Sequence, residues 1–296
     1  MNSAGEIDRG ERLNFAQRRA LRRIRRAAHK ADGEPLTSED WAAYWQLMAG
    51  EMRGRRLLAA LPSSPRCGVC GAPFAGIGYR LVKPFGFKPS RKNPHICATC
   101  VELSPPGGMT MQIGVLFADL RGFTSRSEGE DPHQTVALLR RFYACAERVL
   151  FPDALIDKLI GDAVMALYVP EVTIRPDISQ LMLDHARALL EELGYGSEDG
   201  PFAEAGIGLD FGEAFVGNIG DRSVYDFTAV GDVVNTASRL EAQAAGGEVV
   251  YSARVAADLN EPVGTRETIE LKGKAEALEV YRIAADRPAA VVTPAG

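Results

Sequence analysis

The sequence lacks any apolar run of the roughly 18 to 20 residues that a membrane-spanning helix needs. Residues 1–32 are polar and rich in arginine, and they contain no apolar core of a secretory signal. Both absences predict a cytoplasmic protein without a membrane span. The 296 residues are 46% hydrophobic and 25% charged. That composition excludes collagen-like and wholly disordered chains and is typical of a globular protein.

Cysteine and histidine are scarce. The four histidines show no metal-ligand spacing, and Cys145 stands alone in an apolar helical stretch, where we expect a small buried side chain. The other four cysteines form two Cys-x2-Cys pairs separated by 26 residues. In a chain without an export signal, such pairs predict a metal site rather than disulfides. The four residues are Cys67, Cys70, Cys97 and Cys100.

Four thiolates suit a tetrahedral site, and a glycine after the second cysteine is typical of a zinc-binding turn. We therefore predict one structural Zn²⁺ per chain. Iron in a rubredoxin-like site or an iron–sulfur cluster, and a thiol redox switch, stay open as alternatives.

Charge divides the chain into two parts. Residues 1–110 hold 18 Lys and Arg against 9 Asp and Glu, whereas residues 111–296 hold 16 against 30. Opposite charge predicts two modules joined by a linker at Pro-Pro-Gly-Gly, residues 105–108. The predicted units are a basic helical region (1–60), a small zinc-ribbon-like four-cysteine module (61–104), a larger α+β domain (111–285) and a disordered tail (286–296).

The N-terminal part predicts two helices and a loop-rich segment. An arginine-rich helix precedes a second helix that opens with a capping box of Thr37 and Asp40 and carries Trp41 and Trp45 on one apolar face. This face favours core packing over nucleic-acid binding. An unknown regulatory partner of this region stays an alternative. Between the cysteine pairs, residues 76–93 are rich in glycine and lysine and predict short strands and loops.

Residues 111–285 alternate between short apolar runs and amphipathic stretches, which predicts an α+β fold with a mainly antiparallel sheet. The predicted strands are 112–118, 155–160, 163–169, 203–216, 225–230, 248–252, 265–271 and 278–283. The predicted helices are 131–150, 176–193, 233–245 and 253–259.

Two aspartates lie where predicted strands end. Asp119 follows the first apolar strand, and Asp162 lies in the tight turn between two later strands. Turn aspartates are common, but a pair on adjacent strand ends would suit Mg²⁺ or Mn²⁺, which prefer carboxylate oxygens. Gly122, next to a helix start, would let backbone N–H groups approach phosphates.

A third motif lies at the start of a later helix. Asn235 and Arg239 are four residues apart, which places an amide and a guanidinium on one helix face. Beside an acidic metal site, this pair could orient a sugar and neutralise a phosphoryl group.

Together, FADLRGFT (117–124), KLIGD (158–162) and VGDVVNTASR (230–239) resemble the catalytic domain of class III nucleotide cyclases. The resemblance covers about residues 111–284. It implies a ferredoxin-like βαββαβ palm and a head-to-tail homodimer with two active sites at its interface. It also implies two Mg²⁺ or Mn²⁺ ions in each site.

The resemblance assigns roles residue by residue. It implies that Asp119, Leu120 and Asp162 form the metal site. Asn235 and Arg239 would act in catalysis, on the ribose and on the α-phosphate respectively. The residues that it implies for substrate binding are Phe123, Thr124, Lys158, Thr228, Lys272 and Lys274.

The base-recognition pair favours adenine. Lys158 can only donate a hydrogen bond, which suits N1 of adenine, and the Thr228 hydroxyl can accept one from the N6 amino group. Guanine presents the reverse pattern and would oppose two donors. We therefore predict an adenylate cyclase that forms 3′,5′-cyclic AMP from ATP. Cyclases of GTP, CTP or UTP and a non-catalytic regulator that senses nucleotides or binds nucleic acid are the alternatives.

Overall fold

The computed structural model describes residues 15–27, 29–31, 34, 36–43, 46, 58, 60–61, 65–67, 70–90, 96–101, 107–151, 153–170, 173, 175–221, 224–271 and 276–285. The predicted tail (286–296) and the positions of Lys272 and Lys274 lie outside these residues. None of the helices in the described ranges is long and apolar enough to cross a membrane.

The described residues of the N-terminal region include two helical segments. Helix α1 spans Phe15–Ala27, and residues 38–43 form a second helical segment. The predicted capping box is confirmed: the Thr37 N–H donates to Asp40 Oδ2 at 2.5 Å, and the Asp40 N–H donates to Thr37 Oγ1 at 3.4 Å. Trp41 is only 3% exposed. Its predicted role in core packing is therefore confirmed, while Trp45 lies outside the described residues.

The segment between the cysteine pairs differs from the prediction. Residues 76–93 were expected to form strands and loops, but helix α2 spans Gly76–Val82 and a 3-10 turn follows at Lys83–Phe85. Strand pairing among the described residues near the cysteines consists of two isolated bridges. Gly78 is a poor helix former, but it lies where the helix packs closely on its neighbours: a Cβ atom there would lie 3.0 Å from Pro73 and 3.2 Å from Leu61. Close packing outweighs the weak helix propensity of glycine.

After helix α3 (Ala98–Val101), the chain forms one eight-stranded sheet. Seven strands run in the order β2-β3-β1-β4-β6-β8-β7, and β5 pairs with β4. β4 and β6 pair in parallel and the other pairings are antiparallel, as predicted. The strands are β1 (Gly107–Leu120), β2 (Leu155–Ile160), β3 (Ala163–Tyr168), β4 (Ala205–Asp221), β5 (Val224–Val230), β6 (Glu248–Ser252), β7 (Thr265–Ile269) and β8 (Leu278–Ala284).

The helices between the strands complete a ferredoxin-like unit. The chain order β1-α5-β2-β3-α6-β4 and the spatial order β2-β3-β1-β4 confirm the predicted βαββαβ palm. The helices of this part are α4 (Phe123–Ser127), α5 (Pro132–Leu150), α6 (Ile178–Leu193), α7 (Asp232–Gln243) and α8 (Ala253–Asp258).

The two sheet faces are covered differently. Leu116, Ala118 and Leu120 of β1 pack with α5, α6 and α8, and Cys145 lies buried there as predicted. The β1 side chains that alternate with these point to the other face of the sheet. They belong to a second cluster, here named the module-face cluster, which also contains N-terminal side chains. Its members from the sheet and α7 include Ile113, Val115, Phe117, Leu155, Met165, Val216, Phe227, Val233 and Ala237; those from the N-terminal part include Ile24, Leu36, Trp41, Cys67, Cys70, Phe74 and Cys97.

The predicted linker is wrong at Gly107 and Gly108, which belong to β1 and pair with β4. A Cβ atom on Gly108 would lie 2.1 Å from the Val216 carbonyl oxygen, so the two backbones are too close for any side chain. The Trp41 ring covers Gly107, 3.2 Å from where a Cβ would stand. These glycines serve close packing rather than flexibility.

Candidate functional site

The two predicted aspartates meet at one edge of the sheet. β1 pairs with β3 so that Asp119 lies opposite Ala163, and Asp162 precedes Ala163 in the β2–β3 turn. The Leu120 N–H donates to the Asp162 carbonyl oxygen at 3.4 Å. Because side chains alternate along a strand, Asp119 lies on the same sheet face as Phe117 and the module-face cluster.

The surroundings of Asp119 disfavour its ionised form. Burial, followed by the negative charges of Glu241 and Asp162, raises the pKa of Asp119 to about 7. Asp119 Oδ1 is buried and has no hydrogen-bond partner among the described residues. A buried carboxylate oxygen without a partner, beside a second carboxyl group, fits a hard divalent cation. The donor set therefore matches Mg²⁺ or Mn²⁺.

Arg121 links this pair to α7. Its Nη1 lies 3.6 Å from Asp119 Oδ2, and its Nη2 donates to Glu241 Oε1 at 2.5 Å and to the Glu241 carbonyl oxygen at 2.5 Å. Gly206 leaves room for the Arg121 guanidinium, because a Cβ atom at position 206 would lie 2.1 Å from Arg121 Nη2. One guanidinium thus joins the Asp119 and Glu241 carboxyl groups.

Sequence reasoning missed Glu241. It is buried on α7 and lies 120 residues from Arg121, and burial raises its pKa despite the opposing effect of Arg121. In the sequence, Glu241 stands between Leu240 and Ala242 of a predicted helix, and that pattern reveals neither its burial nor its partner.

Tyr143 is a second residue that the sequence did not reveal. Its hydroxyl, on α5, donates to the carbonyl oxygen of Gly161 in the β2–β3 turn. Burial and the charges of Asp162 and Asp119 raise the pKa of Tyr143, so it keeps its proton and remains a donor. The bond ties the turn that carries Asp162 to the helix layer.

The turn after β1 presents the remaining predicted residues of the first motif. Leu120 is buried, and Gly122 adopts a left-handed φ of 69°. Phe123 is half-buried against the helix layer, while Thr124 is exposed and its carbonyl oxygen accepts from Ser127 Oγ at 2.9 Å. This turn leaves Thr124 on the surface, five residues after Asp119.

Thr228, one of the predicted base-recognition residues, lies on β5 and is 7% exposed. Its hydroxyl donates to Asp157 Oδ2 at 2.6 Å. Lys158 follows Asp157 on β2 and lies opposite Met165 in the ladder. The bond therefore brings β5 next to the strand position of Lys158, although β2 and β5 do not pair with each other.

Asn235 and Arg239 lie on α7 as predicted. Asn235 is exposed and Arg239 is half-buried. Neither side chain makes a hydrogen bond or ion pair within the described ranges. Val233 and Ala237 of the same helix are buried in the module-face cluster, which fixes the orientation of the helix. An amide and a guanidinium without a partner among the described residues are both available to a ligand.

The four cysteines also meet. Their Sγ atoms all lie within 4.8 Å of one another, with Cys67 and Cys100 at 4.0 Å and Cys70 and Cys97 at 3.7 Å. A tetrahedral Zn²⁺ with bonds of about 2.3 Å would separate its sulfur ligands by about 3.8 Å. The cluster thus has the size of a zinc site.

Backbone hydrogen bonds shape the cysteine cluster. The Gly71 N–H donates to the Cys67 carbonyl oxygen at 2.9 Å, and the Cys97 N–H donates to Cys67 Sγ at 3.2 Å. Contact with the Cys67 sulfur raises the pKa of the Cys100 thiol well above its usual range. Four crowded sulfur atoms fit a cation that would stabilise their thiolate forms.

Comparison with known proteins places the fold in context. A family model described as the adenylate and guanylate cyclase catalytic domain matches residues 108–285, more than half of the chain. Adenylate cyclase from Anabaena cylindrica is 30% identical over 187 residues, which are 60% of this chain and 37% of that protein. Adenylate cyclase 1 from Rhizobium meliloti is 31% identical over 196 residues, 62% of this chain and 29% of that protein. The chain thus spans well under half the length of these relatives.

Solved structures agree with the fold. The guanylyl cyclase Cya2 is similar with a TM-score of 0.52 and 27% identity, over 63% of this chain and 98% of that one. The adenylyl cyclase CyaB from P. aeruginosa is similar with a TM-score of 0.53 and 24% identity, over 60% of this chain and 96% of that one. The second likeness bears on the fold alone.

Proposed function

Because the chain belongs to the family of adenylate and guanylate cyclase catalytic domains, we propose that it is an adenylate cyclase, which converts ATP to 3′,5′-cyclic AMP and pyrophosphate. The observation that carries the proposal is the aspartate pair at the end of β1. Asp119 Oδ1 is buried without a hydrogen-bond partner in the described structure, beside Asp162, as a metal-dependent site requires.

Class III cyclases use two divalent metal ions. In this chain, Asp119 and Asp162 would hold them, with the Leu120 backbone as a further ligand. Bound ions would supply the charge that favours ionisation of the ribose 3′-hydroxyl and neutralises the triphosphate. Arg121 and Tyr143 keep the two carboxyl groups in place, one by an ion pair and the other through the turn.

The base contacts favour ATP. The Thr228 hydroxyl gives its hydrogen to Asp157, which leaves its oxygen as an acceptor for the N6 amino group of adenine. Lys158 would donate to N1. With GTP, the same oxygen would face the O6 carbonyl, and two acceptors would oppose each other without a proton between them.

Asn235 and Arg239 would act on the reacting end of the nucleotide. Asn235 can hold the ribose by both donating and accepting hydrogen bonds, while Arg239 offers a fixed fork of donors to the α-phosphate. As charge builds on the phosphoryl oxygens, a preorganised guanidinium stabilises the transition state more than the ground state. The phosphates would be contacted by Thr124, by the turn that begins at Phe123, and by Lys272 or Lys274.

Cyclase domains of this family act as dimers on nucleotide substrates. We infer a head-to-tail homodimer in which one chain supplies Asp119 and Asp162, and its partner supplies the base-recognition pair, Asn235 and Arg239. An interface with two-fold symmetry makes two such sites. Under this proposal a monomer has no complete site.

Replacing Arg239 by alanine is expected to lower turnover with ATP by a factor on the order of 10², because one preorganised charged donor to the transition state is lost. Turnover is measured as cyclic AMP formed at saturating ATP. Arg187→Ala is the matched control, since Arg187 is exposed on α6. An Arg239→Ala dimer with turnover equal to the control would contradict the assigned role.

The function itself is tested by product analysis. The purified chain is incubated separately with ATP, GTP, CTP and UTP, with Mg²⁺ and with Mn²⁺, and products are separated chromatographically. Cyclic AMP as the main product supports the proposal. Cyclic GMP as the main product would instead assign the activity of the similar protein Cya2, a guanylyl cyclase.

We further propose that residues 61–104 form a module with one structural Zn²⁺ on Cys67, Cys70, Cys97 and Cys100. The observation that favours it is the size of the sulfur cluster, which matches a tetrahedral zinc site. Zinc would let a segment with little strand structure hold its shape against the sheet.

A further inference from the structure

A bulge in β2 places a buried carboxyl group beside the base-recognition threonine. In the ladder with β3, Ile156 lies opposite Ala166 and Lys158 lies opposite Met165, so Asp157 is an extra residue. Bulges re-aim side chains next to functional positions. Asp157 is only 1% exposed and receives the Thr228 hydroxyl at 2.6 Å.

This bond determines what Thr228 can do toward a ligand. A threonine hydroxyl has one hydrogen, and an ionised carboxylate accepts hydrogen bonds but donates none. While Asp157 holds that hydrogen, the free lone pairs of Thr228 Oγ1 can only accept. Without Asp157 the hydroxyl could rotate and donate to a carbonyl group of a base.

We propose that Asp157 is a positioning residue that fixes the Thr228 hydroxyl as an acceptor and thereby selects nucleotides whose base carries an amino group at this point. Adenine and cytosine carry such a group, with a ring acceptor nitrogen beside it, whereas guanine and uracil carry a carbonyl oxygen beside a ring N–H. The inference rests on the proposed function, and it extends that function from one base to a class of bases. ATP and CTP are favoured over GTP and UTP.

The test compares selectivity rather than activity. The measured quantity is the ratio of kcat/KM for ATP to kcat/KM for GTP in wild type, Asp157→Asn, Thr228→Val and the double variant. Asparagine keeps the shape of aspartate but its amide can donate to Thr228, which frees the hydroxyl to donate to a base. We expect Asp157→Asn to lower the ratio roughly tenfold, because a mismatched buried hydrogen bond is costly.

The double variant separates positioning from a general structural effect. If Asp157 acts through the Thr228 hydroxyl, then Asp157→Asn changes the ratio no further once Thr228 is valine. Thr228→Ser retains a hydroxyl and is expected to keep the preference for ATP. Asp199→Asn, an exposed turn residue, controls for the charge change.

Two results would overturn the inference: equal loss with ATP and GTP in Asp157→Asn, or independent effects of the two substitutions on the ratio. Equilibrium binding of ATP and of GTP to the same variants reports the preference without turnover. Wild type that binds ATP over GTP but forms no cyclic product would contradict the proposed function alone. Wild-type cyclic AMP formation with an unchanged ratio in Asp157→Asn would contradict the inference alone.

Discussion

Asp119→Asn is expected to lower the turnover of ATP by a factor of about 10² to 10³ while the chain stays folded. Asparagine has the shape of aspartate but no charge, so the proposed metal site loses one of its two carboxylates. A loss of several kcal/mol in transition-state stabilisation corresponds to two or three powers of ten in rate. The measurement is cyclic AMP formation over a range of Mn²⁺ and Mg²⁺ concentrations.

The melting temperature of the metal-free variant provides a second readout. Asp119 shares one guanidinium with Glu241 and lies beside Asp162, so removing its charge relieves like-charge repulsion. We therefore expect no decrease in Tm in the absence of divalent ions, together with the loss of activity. Asp199→Asn is the matched control and should change neither quantity. Full turnover in Asp119→Asn at low metal concentration would disprove the assignment.

Cys97→Ser is expected to remove the bound metal and to lower the Tm of the chain substantially. Zinc contributes on the order of 10 kcal/mol to the folding of small zinc-binding units at neutral pH, and four thiolates cannot be crowded without it. The measurements are metal content per chain by elemental analysis and thermal unfolding. Elemental analysis also distinguishes zinc from iron.

Cys145→Ser is the matched control, because Cys145 is also buried but lies in the helix layer. We expect Cys145→Ser to lower the free energy of unfolding only by the cost of burying one hydroxyl group, and to leave the metal content unchanged. Wild-type protein that purifies without metal and has the same Tm as Cys97→Ser would contradict the metal site and favour the redox alternative.

The sequence was sufficient for those parts of the site that depend on local order along the chain. Asp119 lies at the end of β1 and Asp162 lies in the β2–β3 turn, and the antiparallel β1–β3 ladder then brings them to one edge. Asn235 and Arg239 share a helix face because of their spacing alone. The alternation of strands and helices could be predicted because each element carries its own hydrophobic pattern, whereas the βαββαβ palm was implied by the resemblance to class III cyclases.

The parts that the sequence could not supply depend on contacts across long separations. The Arg121–Glu241 ion pair joins residues 120 positions apart, and the Thr228–Asp157 bond joins residues 71 positions apart. Neither follows from periodicity, and the second also depends on a bulge that shifts the register of β2. Helix α2 was missed because glycine at position 78 lowers helix propensity, while its packing against Pro73 is visible only in three dimensions.

The module-face cluster has a practical consequence for any experiment that shortens the chain. Trp41 and the cysteine-bearing turns share one apolar interior with Ile113, Val115 and Val216 of the sheet. Truncation at the predicted boundary near residue 105 would expose those strand residues to water and leave an apolar, aggregation-prone sheet surface. The N-terminal part therefore covers one face of the sheet, and we expect a stable shortened chain to need residues well before Phe117, where the cyclase motif begins.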